Sequence, residues 1–361
     1  MVQFRIMKKR VLVGMSGGVD SSVTAALLQR RGYDVIGITM QLLPKEQEKQ
    51  SACWNLDAIC DAPRVAGKLG IPHYVVNIRD TFKEKVIDYF VDQYVSGHTP
   101  NPCVECNRHI KFDEIRRVGI EMGTEYVATG HYVRRVFNPR TRQFTLRKAK
   151  DMGKDQSYFL YMLSSDNLAK TLFPLGDFHK SEVRQMAESM GLLNAQKPDS
   201  QEICFVTKGT YKQFVEEQLG STPVLGGAIV DLDGNILGLH DGIHQFTIGQ
   251  RRGIGISSPD PLYVVRISPF NRQVTVGPKG ALKSSTVQLH TASLVNASES
   301  IIGKSFSMKM RYQMVPFEIV VQSWEGGRAQ IECQVPQEFT SPGQSGVIYD
   351  GSRVVGGGVI A

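Results

Sequence analysis

Residues 10–131 alternate short apolar runs with amphipathic stretches, and this alternation constrains the fold more than any other feature of the chain. "RVLVGM" (10–15), "DVIGITM" (34–40), "HYVVNI" (73–78) and "EYVATGH" (125–131) read as buried strands, while 57–69, 81–95 and 108–121 read as helices. Apolar strands separated by helices form a parallel sheet covered by those helices, because each crossover helix returns the chain to the end of the sheet where strands begin. The predicted class is α/β, with a Rossmann-like parallel sheet at the N-terminal end. Ligands on such sheets bind outside the carboxyl ends of the strands, so the bends that leave the strands are where chemistry is expected.

The first of those bends reads "SGGVDSS" (16–22). A strand that turns into a helix through a Gly-rich bend presents backbone N–H groups and the positive end of the helix dipole, which together favour phosphate. Gly17 and Gly18 let the backbone approach closely. Ser16, Ser21 and Ser22 add hydroxyl donors, and Asp20 suits a magnesium ion between phosphates. The pattern lacks the Lys-Ser/Thr of a Walker loop, so the bend reads as a nucleotide site of another kind.

Residues 134–154 carry eight basic residues and one acidic residue around an "NPRT" turn signal, which reads as a basic hairpin or extended loop. Helical patterns are expected at 156–163 and 179–190. After about residue 222 the texture changes to short alternating runs such as "GGAIVDLDGNILGLH", "PLYVVRISPFNRQVTVG", "FEIVVQSW" and "RAQIECQV", separated by Gly, Pro, Asn and Asp. These runs predict hairpins: a small β-rich central domain and a C-terminal β-barrel. The expected boundaries are 1–208, with the basic insertion at about 134–154, then 209–280 and 281–361.

The 361 residues suffice for two or three domains. The balance of 42 basic against 35 acidic residues, a net charge of +7, is a mild signal for a polyanionic partner. No apolar run approaches the ~18 residues of a membrane span, and "MVQFRIMKKR" runs into a strand without a signal-peptide core. No membrane partner is expected, and the cytoplasm is the expected compartment.

The six cysteines are not expected to form a disulfide scaffold in a reducing compartment. Cys103 and Cys106, in "HTPNPCVECNRHIKF", enter a helix, where a thiolate is stabilised; Arg108 and Lys111 add to that effect. The pair is compatible with redox chemistry, half a zinc site or an iron–sulfur ligand set. Cys53 and Cys60 have the wrong spacing to complete zinc, and no structural metal is expected. Cys204 opens a short apolar run beside Glu202, which does not help to ionise it. Cys333, in "QIECQV", reads as a strand residue. His131 ends a predicted strand, where a ligand would lie; His240 and His244 sit in a Gly-rich basic loop.

"SGGVDSS" resembles the PP-loop signature of ATP pyrophosphatases, which cleave ATP between the α and β phosphates. Together with "TPNPCVECNRHIKF", "ATGHYVRR", "KDQSYFLYML", "CFV" and "HDGIHQFTIGQRRGIGI", it resembles the tRNA-specific 2-thiouridylase family, in order from about residue 10 to the C-terminus. The resemblance implies an enzyme that thiolates carbon 2 of the wobble uridine of the tRNAs for Lys, Glu and Gln. ATP with Mg2+ would adenylate the uracil oxygen, and a persulfide loaded by a cysteine desulfurase or sulfur-relay protein would then deliver sulfur. By resemblance Cys106 is the nucleophile, Cys204 carries the persulfide, and the two form a redox disulfide. Gly14, Met15, Ser16, Gly17, Gly18, Val19, Asp20, Ser21, Met40 and Gly130 would bind ATP. Asn101, Pro102 and Cys103 would face the target base. His131, Lys154, Asp155, Gln156, Arg311, Tyr312 and Gln344 would contact tRNA. Many relatives have Asp where this chain has Cys103, so an acid–base role there does not carry over.

Three other readings remain on sequence: a tRNA thiolase that uses an iron–sulfur cluster, a basic tRNA-binding protein with a degenerate nucleotide site, and an amidotransferase-like synthetase with the same loop.

Overall fold

The structure is a computed structural model that describes residues 8–44, 56–192, 194–197, 203–206, 209–221, 223–338 and 341–361. The chain divides into two compact units, one of residues 1–86, 103–207 and 352–354, the other of 87–102, 208–351 and 355–361.

The first unit is built on β1 (Arg10–Gly14), β2 (Asp34–Gln41), β3 (His73–Asn77), β4 (Tyr126–Ala128), the hairpin β5 (Val133–Asn138) and β6 (Gln143–Lys148), and the short β7 (Thr171–Leu172). Five of these strands make a parallel sheet in the order β3-β2-β1-β4-β7. The first strand in sequence is therefore the middle one, and the order reverses beside it, which opens a crevice at its carboxyl end. Val11, Leu12 and Val13 are fully buried because helices cover both faces of the sheet. Helix α1 (Val19–Arg30) packs Val23 and Leu28 into a core shared with Val11, Val13, Val35, Val65 and Val183; Val65 belongs to α2 (Leu56–Leu69).

A helical run at 79–95 has π winding over Lys83–Asp88, and a second, at 102–121, has π winding over Cys106–Glu114. The expectations at 81–95 and 108–121 are met as helices, with a winding that apolar spacing does not disclose. The helix expected at 156–163 is absent; a single 3-10 turn, Ser157–Phe159, stands there. The Asp155 carboxylate accepts from Ala149 N (3.0 Å), Ser157 N (3.3 Å) and Ser157 Oγ (2.8 Å). An Asp that captures nearby amides in this way holds a turn in place of a helix. Helix α3 (Lys180–Ser189) follows as expected.

The second unit contains α4 (Tyr211–Leu219), whose Thr210 and Gln213 cap each other's backbone N–H groups. Tyr211 and Phe214 pack on Tyr94 and Phe90 at centroid distances of 4.6 and 6.2 Å. Next come β8 (Gly227–Val230), β9 (Ile236–His240), β10 (Tyr263–Ser268) and β11 (Gln273–Gly277), in the sheet order β10-β11-β8-β9. The last six strands are β12 (Lys283–Leu294), β13 (Ser305–Lys309), β14 (Phe317–Glu325), β15 (Arg328–Glu338), β16 (Ser345–Asp350) and β17 (Arg353–Ile360). They run in the order β12-β15-β14-β13-β16-β17, and β17 pairs back with β12, so the ring closes into a barrel. Cys333 is buried in its core beside Ile331 and Ile348. Among the described residues no helix is long and apolar enough to cross a membrane.

Candidate functional site

The crevice beside β1 holds a cavity of about 190 Å³ lined by Gly14, Ser16, Asp20, Ser21, Met40, Lys111, Ile115, Thr129, Gly130, His131 and Gln156. Its floor is made by three strand ends: Gly14 closes β1, Met40 lies near the end of β2, and Thr129–His131 follow β4. The bend "SGGVDSS" forms one side. Gly17 adopts φ +70°, which favours glycine, and Gly18 caps α1. The side chains of Met15 and Val19 are in the core, so these two residues offer the cavity backbone only.

The serine hydroxyls are also engaged within the bend. Ser21 Oγ and Ser22 Oγ both donate to Gly18 O, at 3.1 and 3.0 Å, and Ser16 N donates to Ser21 Oγ at 3.2 Å. They shape the bend, and the fully buried Ser22 is turned away from the ligand side. A residue that sequence reasoning missed supports the bend from below. Asn194 Nδ2 donates to Gly17 O (2.9 Å) and Ser22 Oγ (2.8 Å). The carbonyls of Ala195 and Lys197 accept from Arg184 of α3.

Asp20 is also held. Lys180 Nζ lies 2.8 and 2.7 Å from its two carboxylate oxygens, and Tyr132 Oη donates to Oδ1 at 2.8 Å. Lys180 opens α3 and its side chain is only 11% exposed. Nothing in the sequence marked it, since Asp20 and Lys180 are joined only by the fold. Gly130 is pressed against the bend: a Cβ there would lie 3.0 Å from Asp20 C and Ser21 N.

His131 lies in the cavity wall, 7% exposed, and its Nδ1 shares a 2.8 Å hydrogen bond with Thr129 Oγ1. The rings of Phe112 and Phe173 stand beside it. Burial, and secondarily the charge of Lys111, push its pKa well below the ordinary imidazole range. It stands as a neutral ring in the cavity wall. Gln156 Oε1 accepts from Tyr132 N at 2.9 Å. Both carboxylate oxygens of Asp155 are engaged by backbone and Ser157, so its effect on a ligand runs through the shape of its loop. Lys154 is half-buried.

Cys106 is buried, Cys103 exposed and Cys204 half-buried, while Cys333 is buried in the barrel. Phe205, next to Cys204, packs edge-on against Phe82 at 5.9 Å. On the same helical run, His109 sits 3.3 Å from both Asp113 and Glu105, whose hydrogen bonds raise its pKa to about 9. Cys53 and Glu202 lie outside the described residues, as does the side chain of Cys60. Among the described residues no group of three or more His, Cys, Asp or Glu side chains is gathered to hold a metal ion.

In the second unit, Gln344 Nε2 donates to Thr99 O (2.8 Å) and Pro100 O (3.3 Å), just before Asn101 and Pro102. Arg311 is exposed, and Lys309 Nζ lies 5.8 Å from the Tyr312 ring centroid.

Comparison with known proteins decides the family. Residues 9–208 match the tRNA methyl transferase HUP domain, 212–278 the tRNA methyl transferase PRC-barrel domain, and 284–360 the aminomethyltransferase beta-barrel domain. A tRNA-specific 2-thiouridylase of Acetivibrio thermocellus is 43% identical over 98% of this chain and 99% of its own. That of Desulforamulus reducens is 45% identical over 98% and 97%. That of Lachnoclostridium phytofermentans is 44% identical over 98% and 99%. The chain belongs to the tRNA-specific 2-thiouridylase family.

Within a 2-thiouridylase fold, the Gly-rich bend lies at the reversal point of the parallel sheet, and the basic hairpin is a separate excursion. Arg135 Nη1 donates to Leu168 O and Ala169 O, the last carbonyls of the short helix Ser165–Ala169, and Arg134 Nε donates to Lys148 O. These two arginines therefore serve the fold. Arg140 and Arg142, at the turn, are exposed.

Proposed function

We propose that this protein is a cytoplasmic, ATP-dependent tRNA sulfurtransferase that converts the wobble uridine of the tRNAs for Lys, Glu and Gln to 2-thiouridine. The observation that carries the reading is the pairing of a phosphate-favouring bend at the reversal point of the sheet with a buried cysteine, Cys106, on a helix that also lines the same cavity. Near-full-length similarity to relatives named tRNA-specific 2-thiouridylase supports the substrate class.

The mechanism follows from what a uracil carbonyl lacks, which is a leaving group. The O2 oxygen bonds to the α-phosphorus of ATP while the bond to the β-phosphate breaks and pyrophosphate departs with the electron pair. N3 gives its proton to water. The terminal sulfur of a Cys204 persulfide, loaded by a persulfide donor, then attacks C2, and AMP leaves with the former O2 oxygen. The Cys106 thiolate attacks the Cys204 sulfur. The carbon–sulfur group is released as the thiocarbonyl with N3 taking a proton back from water, a Cys106–Cys204 disulfide forms, and an external dithiol reduces it.

Gly14 to Ser21, Met40 and Gly130 hold ATP. Asn101, Pro102 and Cys103 face the base, and His131, Lys154 to Gln156, Arg311, Tyr312 and Gln344 shape or make the tRNA contacts. Asp20, the one carboxylate that lines the cavity, would be the protein ligand of a Mg2+ that came with the nucleotide. When bound, that ion neutralises charge on the departing pyrophosphate.

The test is single-turnover thiolation of an unmodified tRNA, with nucleotide products and oxidised peptides mapped. AMP, 2-thiouridine and a Cys106–Cys204 disulfide are expected; ADP as the product overturns the reading. Cys106→Ser and Cys204→Ser should each abolish thiolation, while Cys103→Ser should keep substantial activity. A Cys103→Ser enzyme as inactive as Cys106→Ser reassigns the nucleophile.

A further inference from the structure

We propose that Lys111 is a catalytic residue of the adenylation step, its ammonium contacting the α-phosphate of ATP and then the phosphate of departing AMP. The inference rests on the thiolation reading and names a group that the reading leaves out.

Three observations carry it. Lys111 lines the nucleotide cavity and is the single lysine or arginine among the described residues that do so. It lines the same cavity as His131, whose pKa is lowered first by burial and secondarily by the Lys111 charge. Among the described residues no carboxylate lies within ion-pair distance of it, while the other charged group of the cavity, Asp20, is already matched by Lys180. A cavity whose one acid is neutralised within the protein, and whose histidine is neutral, keeps the Lys111 charge for its ligand.

The helix winding explains how one element serves both halves of the reaction. Cys106 and Lys111 are five residues apart. In an α-helix five residues turn the side chain to roughly 140° from the first, towards the opposite face. The segment Cys106–Glu114 is π-wound, and the wider turn of a π-helix brings residue 111 much nearer in direction to residue 106 than an α-helix does. The cysteine and the lysine therefore share a face. Charge builds on the α-phosphoryl oxygens as the uracil O2–phosphorus bond forms and the bond to pyrophosphate breaks. It appears again on AMP when the carbon–oxygen bond breaks under sulfur attack. A fixed ammonium stabilises both moments.

The alternative role, activation of the Cys106 thiol, predicts different numbers. The full-length protein, its Lys111→Met and Lys111→Gln variants, and the conservative Lys111→Arg are compared in three measurements: Kd for a non-hydrolysable ATP analogue, tRNA-dependent AMP formation, and the pH profile of Cys106 alkylation. The expected result is a Kd raised about tenfold in Met and Gln, AMP formation down about 100-fold, partial rescue by Arg, and an unmoved alkylation profile. Unchanged analogue affinity and AMP formation with an alkylation profile shifted upward overturns the proposal and makes Lys111 a thiol activator. If the wild-type protein forms no AMP, the thiolation reading fails, and the binding arm alone decides whether Lys111 holds nucleotide.

Discussion

Gly130 has no room for a side chain, because an added Cβ would meet the backbone of Asp20 and Ser21 at 3.0 Å. Those neighbours open α1 and cannot move without deforming the bend. Gly130→Ala should therefore weaken ATP-analogue binding about tenfold, within the ~1–3 kcal/mol that overpacking costs, and equilibrium titration measures it. Asp20 and Lys180 make the opposite case, a pair in which each member suffers from loss of the other. Asp20→Asn leaves a nearly enclosed ammonium unmatched. The Asp20 side chain keeps 31% exposure, so the expected loss is about 1–3 kcal/mol, below the ~3–5 kcal/mol of a fully buried pair. Adding Lys180→Met should restore most of that stability in urea unfolding but not ATP turnover. If the double variant is no more stable than Asp20→Asn, the two charges are not coupled.

Among the elements, the 102–121 helix shows how far the sequence could be read. Its existence follows from apolar spacing, but its winding does not, since π and α turns draw on the same residue types and differ only in the bond each amide selects. That is why Lys111 reads from sequence as a neighbour of Cys106 and in the structure as part of the cavity wall. The segment 156–163 departs from its helical pattern for a related reason: Asp155 accepts from nearby amides and holds a turn. Helix α4 carried a legible signal that went unused, a Thr210–Gln213 capping box and Gly220 at φ +58°. The strand–helix alternation and the Gly-rich bend were legible because β1, β2 and β3 and the bend at Ser16–Ser22 depend on local pattern. Asn194 and Lys180 were not, because each meets the bend only after the chain has returned from far away. The same helix predicts a pH response. His109 has its pKa raised from 6.5 to about 9 by Asp113 and Glu105. Its contribution to stability is complete below pH ~6.5 and disappears as pH rises through about 9. Melting temperatures between those values should fall more steeply for the wild type than for His109→Gln; parallel slopes would remove His109 as the cause.

At the scale of the whole molecule, 42 basic residues against 35 acidic ones give a net charge of +7, and the structure sorts those charges by task. Arg134 and Arg135 tie carbonyls of their own unit, whereas Arg140 and Arg142 stand in the open turn. Reversing Arg140 and Arg142 to Glu should weaken tRNA binding and flatten its dependence on salt by about one unit of slope per lost phosphate contact. An unchanged slope means the turn touches no phosphate. The strand order has its own consequence for synthesis on the ribosome. β1 is made first yet occupies the centre of the sheet, so one of its edges stays bare until residue 126 has emerged. Asn194, which braces the Gly-rich bend, emerges later still. The nascent chain therefore carries an apolar, unpaired edge from the time β1 emerges until β4 does, and the Gly-rich bend is complete only when residue 194 has been made.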